Sequence, residues 1–93
     1  MAGIASNLKS FDLQYPVASP DGGSVEKLDV RRPKLRDLKI FVKDAENDAV
    51  GAIERIIANL SDTPPKIIAE IDLEDFAPIK TWFTGFLKLM SEE

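Results

Sequence analysis

The stretch Phe11-Asp12-Leu13-Gln14-Tyr15-Pro16-Val17-Ala18-Ser19-Pro20-Asp21-Gly22-Gly23-Ser24-Val25 decides the fold class. Apolar side chains fall on every second residue from Phe11 to Val17, the period of a strand with one wet face. Pro16 removes a ladder donor and marks an edge strand. Ser19-Pro20-Asp21-Gly22-Gly23-Ser24 is turn chemistry, because glycine reaches positive φ and aspartate favours a turn start. A more polar strand over about 25–31 completes a β-hairpin spanning 8–31. A two-stranded hairpin is not stable alone in water, so the rest of the chain must cover its apolar face. The reading is an α+β domain over 1–93, with an N-terminal hairpin packed against three to four C-terminal helices over 33–90. Residues 1–7 are read as a disordered tail.

The helices follow from spacing. Pro33 suits a first helical turn and holds Arg32 extended. Leu35, Leu38 and Phe41 or Val42 then recur at helical intervals to about residue 43. Asn47 is a suitable N-cap for a helix over 48–61, whose stripe is Val50, Ile53, Ile56, Ile57 and Leu60. Thr63 is expected to cap a short helix over 64–71, with Pro64 first and Ile67, Ile68 and Ile71 inward. Asp72, Glu74 and Asp75 precede a helix over 76–90, where acidic side chains favour the positive end of the dipole. That start keeps Pro78 in the first turn, where its missing N–H costs nothing. At ~100° per residue, Phe76, Ile79, Phe83, Phe86, Leu87 and Met90 share one face. Trp82 and Leu89 widen it beyond the needs of a surface helix, and an edge tryptophan is a favoured interface residue. Trp82, Phe86 and Leu89 are therefore the candidate partner-binding edge.

Composition narrows the chemistry. Among 93 residues there is no histidine and no cysteine. The usual general base, the imidazole and thiolate metal ligands and the strongest nucleophile are thus missing. No paired carboxylates suggest catalysis, no calcium-loop spacing is present, and no Gly-Lys-Ser/Thr follows the glycine turn. We expect no enzyme activity, metal or cofactor, and without a long apolar run no membrane span. The net charge of −4 hides an asymmetry. Residues 26–43 carry seven cations and three anions, whereas residues 44–93 carry four cations and eleven anions. The basic cluster Arg31-Arg32-Pro33-Lys34-Leu35-Arg36 reads as a solvated helix start paired with Asp29 and Asp37, or as a contact for an acidic protein through Arg31, Arg32 and Arg36. A small regulatory or nucleic-acid-binding protein using this segment is the alternative. It is disfavoured because no aromatics interleave the cations, the whole chain is acidic, and 48–60 is too apolar for a recognition helix.

Several segments in register resemble a known family. Val30-Arg31-Arg32-Pro33 with Asp37-Leu38, Ile56-Ile57-Ala58-Asn59-Leu60 before Pro64-Pro65, Ile71-Asp72-Leu73-Glu74-Asp75-Phe76 and Gly85-Phe86-Leu87 are similar to small phage tail assembly chaperones of contractile-tailed and Mu-like phages and prophages. The similarity covers roughly residues 8–90, and Ser61-Asp62-Thr63 departs from the Thr-Gly-Leu expected there. The resemblance implies a protein of the host cytoplasm, absent from the finished virion. It implies binding of the tape measure protein until the tail tube polymerises around it, with the tail tube protein and further copies of the chain as other contacts.

Overall fold

The computed structural model describes residues 8–91, and the tail read at 1–7 lies outside them. The elements are β1 (Leu8–Ala18), β2 (Ser24–Arg31), α1 (Leu35–Ala45), α2 (Ala49–Ser61), α3 (Pro65–Ala69) and α4 (Leu73–Ser91). The hairpin followed by four helices is the α+β arrangement expected from the sequence. β1 and β2 form a two-stranded antiparallel sheet. Leu13, Val17, Leu28 and Val30 turn inward against Ile57, Ile79 and Phe83, the last three fully buried. Phe41 meets Phe83 edge to face at 5.0 Å between centroids, fastening α1 over the same core.

Strict alternation fails within β1. Asp12 pairs with Lys27 but Val17 pairs with Val25, so Leu13–Pro16 face Glu26 alone across a bulge. Leu13 and Val17 remain buried while Tyr15 swings out, 47% exposed. Pro16 sits within this bulge, where its missing N–H breaks no ladder bond. The freed donors are taken up from far along the chain. The carboxylate of Asp75, buried on α4, accepts from Gln14 N and Tyr15 N, each at 2.9 Å. At the tip, Ser19 N donates to Gly23 O and Gly22 N to Ser19 O. Gly22 has φ 95°, a conformation open to glycine and costly for other residues.

Helix starts differ from the sequence reading at each end where a side chain competes for the cap. α1 begins at Leu35 and not at Pro33, because Asp37 reaches back to accept from Lys34 N at 2.7 Å. Asp48, one residue past the expected Asn47, caps α2 by accepting from Gly51 N. The Asp48 carboxylate fills the space a Cβ at Gly51 would need, which accounts for a glycine inside a helix. Thr63 N closes α2 by bonding Ala58 O, with Asp62 left-handed at φ 53°. The cap of α3 thus falls on Pro64, with Pro65 first, and not on Thr63. α4 begins at Leu73 and not at Phe76. Asp72 supplies the cap, its side chain accepting from Glu74 N and its carbonyl from Phe76 N. Asp75 is thereby released to hold the bulge, and Pro78 lies inside the helix.

Candidate interaction surface

α4 carries Trp82 and Phe86 one turn apart, so their rings are neighbours on one flank. They meet edge to face at 5.1 Å between centroids, and Trp82 meets Phe11 of β1 at 5.8 Å in the same manner. Edge-to-face contact sets the positive rim of one ring on the negative face of the next. Cations close both ends of the row. The Lys9 ammonium lies 5.8 Å from the Phe11 centroid, and the Arg32 guanidinium 5.1 Å from that of Phe86. The row is Lys9, Phe11, Trp82, Phe86 and Arg32, joining strand, last helix and the loop before α1. Its rings are half-buried, packed against the core on one side and open on the other. One turn further, Leu89 extends the edge with 64% of its surface exposed.

The six residues singled out in the sequence therefore separate. Trp82, Phe86 and Arg32 are brought together, and Leu89 lies on the same edge. Arg31 is turned away into a forked ion pair with Asp37, at 3.0 and 3.2 Å. Asp37 is only 3% exposed. The hydrogen bond from Arg31, aided by Lys34 N, holds its carboxyl below the usual carboxylate range against the opposing effect of burial. The expected pairing with Asp29 is not formed, since Asp29 accepts instead from the Ser10 hydroxyl across the strands. Arg36 is exposed on α1. At the other end of α1, Arg55 grips Asp44 through two bonds of 2.7 and 2.8 Å, which lowers the Asp44 pKa and ties α1 to α2.

A second surface was not anticipated. Val50 was read as part of the buried α2 stripe, yet it is 82% exposed, as is Leu73. With Ile53, Ile68, Ile71 and Phe76 they border an apolar groove of about 310 Å³ where α2, α3 and the start of α4 converge. Periodicity places Val50 at the correct angle for the stripe, but its first-turn position runs beyond the elements that cover the rest. The sequence signal was Leu73, an apolar residue set among acids at a helix start.

Among the described residues no three potential metal ligands cluster, and no helix is long and apolar enough to cross a membrane. An open aromatic edge and an apolar groove are thus the two apolar surfaces of this small α+β scaffold. A family model described as "Phage tail assembly chaperone proteins, E, or 41 or 14" matches residues 10–88. The chain belongs to this phage tail assembly chaperone family. No curated protein and no solved structure matches it.

Proposed function

We propose that this chaperone binds the tape measure protein in the host cytoplasm, keeps it soluble until the tail tube polymerises around it, and leaves before the virion is complete. The observation that carries the reading is apolar exposure in a member of a tail assembly family. Leu35, Ile40, Val50, Leu73 and Leu89 all keep well over half their surface in contact with solvent. A long helical partner with unpaired apolar faces needs such surface to shield it. The Trp82–Phe86–Leu89 edge is the contact surface, with Arg32 beside it and Arg36 adding a cation from the exposed face of α1, while Arg31 serves by positioning the loop that holds Arg32. Tail tube protein and a second copy of the chain are further partners of the same surfaces. Nucleic acid has no part in this reading, because Arg31 is paired with Asp37 and the chain as a whole carries a net charge of −4.

Co-expression with the tape measure protein tests this. The soluble fraction of the tape measure protein should rise with the wild-type chaperone and the two should co-purify. Replacing Leu89 with glutamate should abolish both effects while leaving the chaperone folded. A tape measure protein equally soluble with and without the chaperone would refute the proposal.

A further inference from the structure

The aromatic row along α4 ends on two cations, and no described carboxylate answers them. Lys9 lies opposite Val30 in the hairpin and Arg32 follows two residues after Val30, so both leave the α4-facing side of the sheet at its open end. Both are exposed. Lys9 sits over Phe11 and Arg32 over Phe86, and a cation held by a ring face spends no N–H donor. Among the described residues the Arg32 guanidinium donates to no acceptor; it is the Arg32 carbonyl that takes the bond from Arg31. The nearby carboxylates are committed elsewhere. Asp37 is paired with Arg31, and the buried Asp75 accepts the amides of Gln14 and Tyr15. Strand alternation puts Asp12 and Asp29 on the opposite face of the sheet, Asp12 across from Lys27 and Asp29 accepting from Ser10. On α4, Glu74 and Lys88 fall roughly 80° and 120° round the helix from Trp82, away from the core and the row.

We infer that this end of the row receives a carboxylate of the partner, an aspartate or glutamate at the edge of an apolar helical stripe. The acid sits between Lys9 and Arg32 while the stripe covers Phe86, Trp82 and Leu89. The inference rests on the proposed function only for a partner that is helical and apolar. A guanidinium matches a carboxylate through two parallel bonds, and Lys9 adds a point charge. Phe86 holds the Arg32 head in place before binding, so less freedom is lost when those bonds form. The rings and Leu89 supply apolar area, and the cations select the sign of the charge beside it. Single-stranded nucleic acid also combines cations with aromatic rings, but it fits this row poorly. Bases stack on open ring faces, whereas Phe11 and Phe86 carry Lys9 and Arg32 on one side and pack against the core on the other. Two cations also make no track for a phosphate backbone on a chain of net charge −4.

Trp82 is the single tryptophan of the chain, so its fluorescence reports on the site. The probes are two synthetic helical peptides with the same leucine stripe, one edged with glutamate and the other with glutamine. Wild-type protein should bind the glutamate peptide on the order of tenfold more tightly, less tightly as salt rises, with a change in Trp82 emission. Arg32→Gln should remove most of that preference, and Lys9→Gln/Arg32→Gln all of it. Arg32→Lys keeps the charge but loses the fork, and should fall between wild type and Arg32→Gln. Both side chains are exposed and form no hydrogen bond among the described residues, so denaturant midpoints should stay near that of wild type. Equal affinity of wild type for both peptides, or a preference that survives in the double variant, overturns the inference. Tighter binding of an oligothymidylate that the double variant loses overturns it in favour of nucleic acid. A wild-type oligomer in sedimentation that the double variant dissociates also overturns it, since the occupant would then be a second copy. Co-expression separates this inference from the function proposed above. If wild type and the double variant rescue the tape measure protein equally, the carboxylate assignment falls and the function stands. If wild type fails to rescue but prefers the glutamate peptide through Lys9 and Arg32, the function falls and the assignment stands.

Discussion

Replacing Asp75 with alanine should unfasten the hairpin from the last helix. The carboxylate is 8% exposed and accepts from two backbone donors, Gln14 N and Tyr15 N, that have left the strand ladder at the bulge. Hydrogen bonds to a charged acceptor contribute ~1.5–3 kcal/mol each, and donors left unsatisfied cost a comparable amount. Gln14 and Tyr15 are themselves exposed, so water recovers part of the loss. The expected destabilisation is about 2–4 kcal/mol, a large fraction of the ~5–15 kcal/mol of a native domain. It corresponds to a fall in Tm on the order of 10–25 °C at this size. Urea unfolding followed by circular dichroism measures the first quantity. Hydrogen exchange at Gln14 and Tyr15 locates it, and both amides should lose protection before the β2 ladder does. Asp75→Asn, which keeps one acceptor, should fall between wild type and alanine. An unchanged midpoint with both amides still protected would show that the bulge is held by its own backbone and that Asp75 is incidental.

Arg31→Ala should cost ~1–3 kcal/mol, because it leaves the buried Asp37 carboxylate without its forked partner. The folded pKa of Asp37 is depressed below 3.8, so its stabilisation is present above the unfolded value and lost as pH falls through the folded one. Wild type should therefore lose stability below about pH 4, and the variant should show a smaller loss in an acid titration of the denaturant midpoint. Trp82→Ala removes two edge-to-face contacts from a half-buried position and should lower stability by ~1.5–3 kcal/mol. Leu89→Glu, one turn or two further on, should stay within about 0.5 kcal/mol, so the two separate scaffold from contact in the co-expression assay. Asp62→Gly should stabilise by ~0.5–1 kcal/mol in thermal unfolding, because Asp62 holds φ 53° in the left-handed region that glycine enters freely.

By itself the sequence determined what local chemistry decides. Period two with a Pro-Asp-Gly-Gly turn specified the hairpin, and period 3.6 with proline boundaries specified four helices in the right order. Missing histidine and cysteine removed most catalytic and metal chemistry before any coordinates. The Trp82 edge was also legible, since an apolar face wider than one core requires is a property of helical angle alone. Tertiary structure decided what depends on partners distant in the chain. Tyr15 faces out because Asp75, some sixty residues later, accepts the amides of the bulge, and no spacing within β1 encodes that. α4 starts at Leu73 for the same reason: a carboxylate free to cap in sequence was claimed across space. The fates of Arg31 and Arg32 divided because the fold set Asp37 beside one and Phe86 beside the other. The groove was invisible because angular periodicity says which way Val50 points but not whether anything packs over that turn. Covering a side chain is a property of where helices end relative to one another, and only the packed chain sets that.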